Sequence, residues 1–161
     1  MMITGLRELI VHGVPTPQGS KTRMPNGAMV EAGTSQSRQA KADWRNDVAR
    51  ASALNALEHG YVDWPEIAVQ VVFRFRMPAS RPASVRADGW AYKATAPDLD
   101  KLLRSIGDSL QSTLIVNDAR IVAWQATKIE VADGWTGAAI TLAPASHARR
   151  PAVADDMPSL L

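Results

Sequence analysis

Residues 67–77, "IAVQVVFRFRM", constrain the fold more than any other stretch of this chain. Ile67, Val69, Val71, Phe73 and Phe75 fall on one side, and Gln70, Val72, Arg74 and Arg76 on the other. A period of two held over that length predicts a β-strand with one buried face and one exposed face. The chain must therefore build a sheet, and the remaining segments are read as its neighbours or its cover.

"LRELIVHGV", residues 6–14, has apolar Leu6, Ile10 and Val14 around a β-branched centre and stops at Pro15, which predicts a first strand. Residues 15–27, "PTPQGSKTRMPNG", form a basic loop with Lys21 and Arg23 and a turn at Asn26-Gly27, and "AMVEAG" reads as a short returning strand. The loop is either a plain hairpin connection or a nucleic-acid contact. From Ser35 to Glu58 there is no proline or glycine. Trp44, Val48, Ala51 or Ala53, and Leu54 or Leu57 recur at helical spacing until Gly60. The exposed face of this helix is expected to carry Arg38, Lys41, Arg45 and Arg50 interleaved with Asp43 and Asp47, the pattern of a solvated face with i,i+4 pairs.

Residues 78–97 read as a long connection holding Arg81, Arg86, Lys93, Trp90 and Tyr92, and loops of that length are functional or mobile as a rule. Trp90 and Tyr92 either stack on an exposed base or pack in the core, with core packing expected for at least one. A helix follows Pro97, then a strand over residues 119–132 in which Val122, Trp124, Ala126, Lys128 and Glu130 share one side. After the turn "DGW" comes a last strand, "GAAITLA". The order strand, strand, helix, strand, helix, strand, strand predicts an α+β fold: a mixed four- to five-stranded sheet with two main helices packed on it. Residues 1–142 form the single domain that 161 residues allow, and residues 143–161 read as a flexible tail whose Leu160 and Leu161 are free to dock on a partner.

Composition narrows the chemistry. With 46% hydrophobic and 21% charged residues the chain reads as soluble and globular, and no apolar run approaches the roughly 18 residues of a membrane span. "MMITGLRELIVHG" lacks the basic start and cleavage site of a signal peptide, so a cytoplasmic location is expected. The absence of cysteine excludes a thiolate nucleophile and sulfur-ligated zinc, and His12, His59 and His147 show no ligand spacing. No Walker loop, G-x-G-x-x-G or G-x-S-x-G is present. Any catalysis then falls to carboxylates, which favour hard ions such as magnesium or manganese. Residues 1–97 carry 12 Lys/Arg against 8 Asp/Glu, and residues 98–142 carry 4 against 6. That division suits a phosphate-binding surface around a metal site, and ordinary surface variation produces it equally well.

The carboxylates in question lie in "TAPDLDKLLRSIGDSL", residues 95–110. Leu99, Leu102, Leu103, Ile106 and Leu110 make one apolar helical stripe. Asp100, Arg104 and Asp108 lie on the other side four residues apart, and one reading of them is an ion-pair ladder on a solvated face. The other reading is an active site. Two residues in a helix interior point about 200° apart, so Asp98 and Asp100 share an ion only if Asp98 is still extended at the cap while Asp100 is in the first turn. Pro97 favours such an entry. Asp118, in "LIVNDARIV", is the candidate third carboxylate, although periodicity alone does not bring it to the other two.

From Asp98 to Lys128 the chain resembles the RusA family of Holliday-junction resolvases. The resemblance rests on D-L-D at 98–100, apolar-apolar-basic at 102–104, Asp108, the pair Asn117-Asp118 before a strand, and Lys128. "WRNDVAR", Trp44 to Arg50, is similar to the family's aromatic-Arg-x-x-Val segment, and "PTPQGSKTR" to its proline-rich basic loop. It implies that Asp98, Asp100 and Asp118 bind magnesium, with manganese a possible substitute, in each subunit of a homodimer. It also implies that the two sites cut opposite strands of branched DNA at a four-way junction, in recombination and repair in a phage or its host. Phosphodiester hydrolysis is chemistry that such an ion serves. Arg104 stands where the family commonly has lysine, and Asn117 where some members have an acidic residue. Candidate DNA contacts are Lys21, Arg23, Arg74, Arg76 and Lys128, each of which reads equally as an ordinary surface charge. The rival to a nuclease is a junction-binding protein whose turnover is weakened by Arg104, and a third reading is a plain α+β domain with a helical ion-pair ladder.

Overall fold

The computed structural model describes residues 5–19 and 21–145. In chain order these form β1 (Arg7–His12), β2 (Lys21–Arg23), β3 (Met29–Glu31), α1 (Ser35–His59), β4 (Ile67–Arg76), α2 (Ala83–Asp88), β5 (Trp90–Tyr92), α3 (Leu99–Leu110), a 3-10 turn (Asp118–Arg120), β6 (Ile121–Val131) and β7 (Gly137–Pro144). The alternating segment β4 is the centre of a five-stranded sheet ordered β1-β7-β4-β6-β5, while β2 and β3 form a separate hairpin. β4 runs parallel to β6, and the remaining pairings are antiparallel. The fold is the expected α+β architecture with a mixed sheet.

Parallel neighbours require a crossover, which here carries α2, β5 and α3 between β4 and β6. In the parallel register Phe73 stands beside Lys128 and Arg74 beside Ile129. Lys128 therefore shares the buried, helix-covered face with Phe73, and Arg74 and Arg76 point to the opposite face. The core joins Leu9, Val11, Val71, Phe73, Ile140 and Leu142 of the sheet to Trp44 and Val48 of α1 and to Leu102, Ile106 and Leu110 of α3. Each such side chain contributes about 1.5–3 kcal/mol when fully buried, so the stripe on α3 is what fixes that helix, and with it the aspartates at its start.

Sequence spacing misplaced several partners. In β1 the buried residues are Leu9 and Val11, while Leu6, Ile10 and Val14 are exposed. In α1 the buried line is Trp44, Val48 and Ser52, and Leu54 and Leu57 are exposed. At about 100° per residue Leu57 lies opposite Val48, whereas Ser52 follows it by one turn. The Ser52 hydroxyl is satisfied by donating to the carbonyl of Val48 at 2.7 Å. Residues 78–97 are not a bare loop: α2 and β5 lie within them, too short to show a period, and α2 buries no residue. β7 continues to Pro144, and the amide of Ala145 donates to the carbonyl of Glu66 at 3.0 Å. Leu160 and Leu161 lie outside the described residues. No helix among the described residues is long and apolar enough to cross a membrane.

The start of β7 requires glycine. Gly137 has φ of 142°, and a Cβ there would meet the carbonyl oxygen of Val11 at 1.8 Å. The edge strand β1 closes on β7 only because that position has no side chain.

Candidate active site

α3 begins as its sequence requires. Asp98 is the cap residue with extended backbone, φ −67° and ψ 137°, and its carbonyl accepts from the amide of Leu102 at 3.2 Å. Asp100 lies in the first turn. The Asp98 carboxylate makes no capping hydrogen bond and instead accepts from Lys101 Nζ at 2.8 Å. This hydrogen bond, then the charge of Lys101 and to a smaller degree that of Lys128, holds the Asp98 carboxyl below the usual carboxylate range. The Lys101 ammonium is raised in turn.

The segment before the cap is held from the sheet. Lys128 Nζ donates to the carbonyls of Thr95 at 2.9 Å and Pro97 at 2.7 Å. Lys93 Nζ donates to Thr95 Oγ1 at 2.9 Å and lies 3.7 Å from Glu130. Glu130 is buried, 1% exposed, and accepts from Arg81 Nε at 2.7 Å. Both cations come from the 78–97 connection, so a single carboxylate on β6 fastens that segment to the sheet. The hydrogen bond from Arg81 is the main cause that holds the Glu130 carboxyl below its ordinary range despite burial.

Asp118 sits at the start of the 3-10 turn, positioned by its flanking residues. The Asn117 side chain accepts from the amide of Ala119 at 2.8 Å, which is capping work that an acidic residue would also do. Arg120 reaches Asp63 at 2.5 Å and the carbonyl of Trp64 at 3.4 Å. Between α3 and this turn runs a groove of about 290 Å³ lined by Asp100, Arg104, Asp108 and Asp118, with Leu103, Gly107, Ile121 and Trp124 as its apolar part.

The expected ladder on α3 is not formed. Among the described residues no ion pair or hydrogen bond joins Arg104 to Asp100 or Asp108, and the Asp100 and Asp118 carboxylates are also without partners. Four unpaired charged groups, three acidic and one basic, therefore line one groove. Asp98 lies in the neighbouring cavity with Lys101. Among the described residues no three acidic or histidine side chains are close enough to hold a metal ion together.

The candidate DNA contacts separate. Lys21 and Arg23 are exposed on the β2–β3 hairpin. Arg74 is engaged with Trp135, donating from Nε to its carbonyl at 3.1 Å with the guanidinium 4.4 Å from the ring centroid. Arg76 is exposed on the face away from the groove. Trp90 and Tyr92 are both exposed, in edge-to-face contact at 5.2 Å, contrary to the expectation that one would be core. Arg45, placed on a solvated face by spacing, hydrogen-bonds to Gln18, whose amide donates to the carbonyl of Lys101 at 3.0 Å. Sequence reading missed Lys101, Arg45 and Glu130. For Glu130 the signal was present, since it alternates with Trp124 and Lys128 on the buried side of β6.

Hard oxygen donors and an unpaired guanidinium, set along a helix on an α+β sheet, are groups able to bind a hard metal ion and a phosphate. The profile of the family described as Endodeoxyribonuclease RusA matches residues 13–142, and the chain belongs to that family. It is an endodeoxyribonuclease of the class that resolves Holliday junctions. A comparison with curated proteins finds no match.

Proposed function

We infer that this chain cuts four-way DNA junctions by paired, magnesium-dependent nicks in DNA recombination and repair, acting as a homodimer, with manganese as a substitute ion. The observation that carries the reading is the groove in which Asp100, Asp118 and Arg104 meet without neutralising one another. The donor set fits magnesium, which is bound through one or two carboxylates together with substrate phosphate oxygens and water. Asp100 and Asp118 would hold the ion from the groove, with Asp98 at the helix cap as the further carboxylate. When bound, the ion polarises the phosphoryl oxygen and activates water. Arg104, always protonated, holds the non-bridging phosphate oxygens and takes no part in proton transfer. Lys128 acts on the site through the carbonyls of Thr95 and Pro97.

A homodimer supplies the symmetry that paired nicks on a junction need. It is supported by the sheet face opposite the helices, on which Ala68, Val72, Ala123 and Thr141 lie only half-buried. Purified protein with magnesium is expected to nick a synthetic four-way junction at two symmetry-related positions; intact junction in both magnesium and manganese contradicts the reading. The second reading, a junction-binding protein of weakened turnover, draws on Arg104 in place of the family's lysine. It is favoured by tight junction binding without nicking, unchanged in Arg104→Lys.

A further inference from the structure

Beside the groove, at the α3 N-terminus, lies a second cavity of about 570 Å³, of which the chemistry above uses only Asp98 at the rim. Its apolar lining is Val14, Pro15, Pro17, Phe75 and Pro97, and its charged rim is Lys93, Lys101 and Asp98. The volume falls within the roughly 300–1,000 Å³ of pockets that take organic ligands. Prolines and an aromatic ring offer flat apolar surfaces, which suit a planar guest. The Lys93 ammonium lies 5.3 Å from the centroid of Phe75 and is tied to Glu130 and Thr95, so the ring and one cation are held in place. Lys101 gives one of its three ammonium hydrogens to Asp98 and keeps two for acceptors on a guest.

A planar ring flanked by anionic groups is what a nucleotide presents. The cavity opens beside Pro97 and the cap residue Asp98, and Asp100 in the first turn faces the groove, so one strand passing the helix start reaches both. Taking a base out of a continuous duplex stack is unfavourable, and least so where stacking is already interrupted, as at a branch point. We propose that this cavity receives one nucleobase, turned out of the stack at the branch point, from the nucleotide adjoining the phosphate held by the groove. This rests on the endonuclease reading and adds a means of recognising the branch: Phe75 and the prolines take the ring, and Lys101 takes its acceptor edge.

The test uses four-way junctions with a single abasic site at each nucleotide flanking the cut in turn, and the exposed-position variant Val14→Trp, which fills the cavity mouth. Base stacking on protein rings supports a loss of about tenfold in junction affinity at one abasic position. Val14→Trp, with its melting temperature unchanged, is expected to lose a similar factor on the unmodified junction and nothing further on that abasic one. If every abasic junction binds like the unmodified one to protein that binds and cuts, the base site is overturned while the nuclease stands. Independent, additive losses from Val14→Trp and the abasic site overturn it in the same way. If no junction is bound at all, both readings fall.

Discussion

Lys101 Nζ lies 2.8 Å from the carboxylate of Asp98, so a carboxylate proposed as a metal ligand is held by a cation one turn along the same helix. Magnesium must compete with that ammonium. Replacing the cation by a neutral side chain, Lys101→Gln, is expected to lower the magnesium concentration giving half-maximal junction cleavage by up to about fivefold, the scale of an exposed ion pair. A rise in that concentration would show instead that Lys101 serves the phosphate.

Lys128 ties the segment before α3 to the sheet through the carbonyls of Thr95 and Pro97, and in the proposed function it positions the α3 start. Each phosphate contact contributes about 0.9 to the slope of log affinity against log salt. Lys128→Met is expected to slow cleavage about tenfold or more, since small misplacements at a reacting centre are amplified in rate, while leaving that slope unchanged. A slope reduced by about one would make Lys128 a DNA contact after all.

Glu130 is buried between Arg81 and Lys93, and its pH dependence follows from the direction of its shift. A carboxyl depressed in the folded state contributes stability that is complete above its ordinary value near 4.5 and is lost as pH falls through the depressed value. Glu130→Gln is expected to reduce unfolding free energy by about 1.5–3 kcal/mol at neutral pH, the range for hydrogen bonds to charged groups, and to flatten the loss of stability below pH 4.5. Urea melts across that range check it, and an unchanged acid profile would remove the ion pair from the account.

Arg104 faces the groove without a carboxylate partner. Its removal in Arg104→Ala is expected to slow single-turnover cleavage by about 10²–10³-fold, as loss of one preorganised charge-stabilising donor does. Arg104→Lys should retain a large part of the rate if the role is charge alone, and a rate above that of the unaltered protein would mark arginine as the weaker residue here.

How far residues 67–131 were legible depended on the length of each pattern. The ten residues of β4 and the leucine stripe of α3 repeat often enough that their buried faces are set by periodicity, and both stand in the structure. α2 and β5 are shorter than one repeat of any useful pattern, so their place depends on Glu130, whose contact with Arg81 spans 49 residues that spacing does not encode. At the site, the cap role of Asp98 was readable from Pro97, whereas the pairing of Lys101 with Asp98, and not of Arg104 with Asp100, was not. Both cations lie at helical offsets from an aspartate, and only side-chain direction in the packed helix distinguishes them.

In the proposed function Asp100 holds the ion for cutting and is not needed to hold the junction. Binding and nicking of one labelled four-way junction by Asp100→Asn, side by side with the unaltered protein in magnesium, measures both at once. Junction affinity within about twofold and nicking reduced by about 10³-fold or more are expected, the scale of losing an electrostatic centre of catalysis. Nicking that survives the substitution contradicts the account.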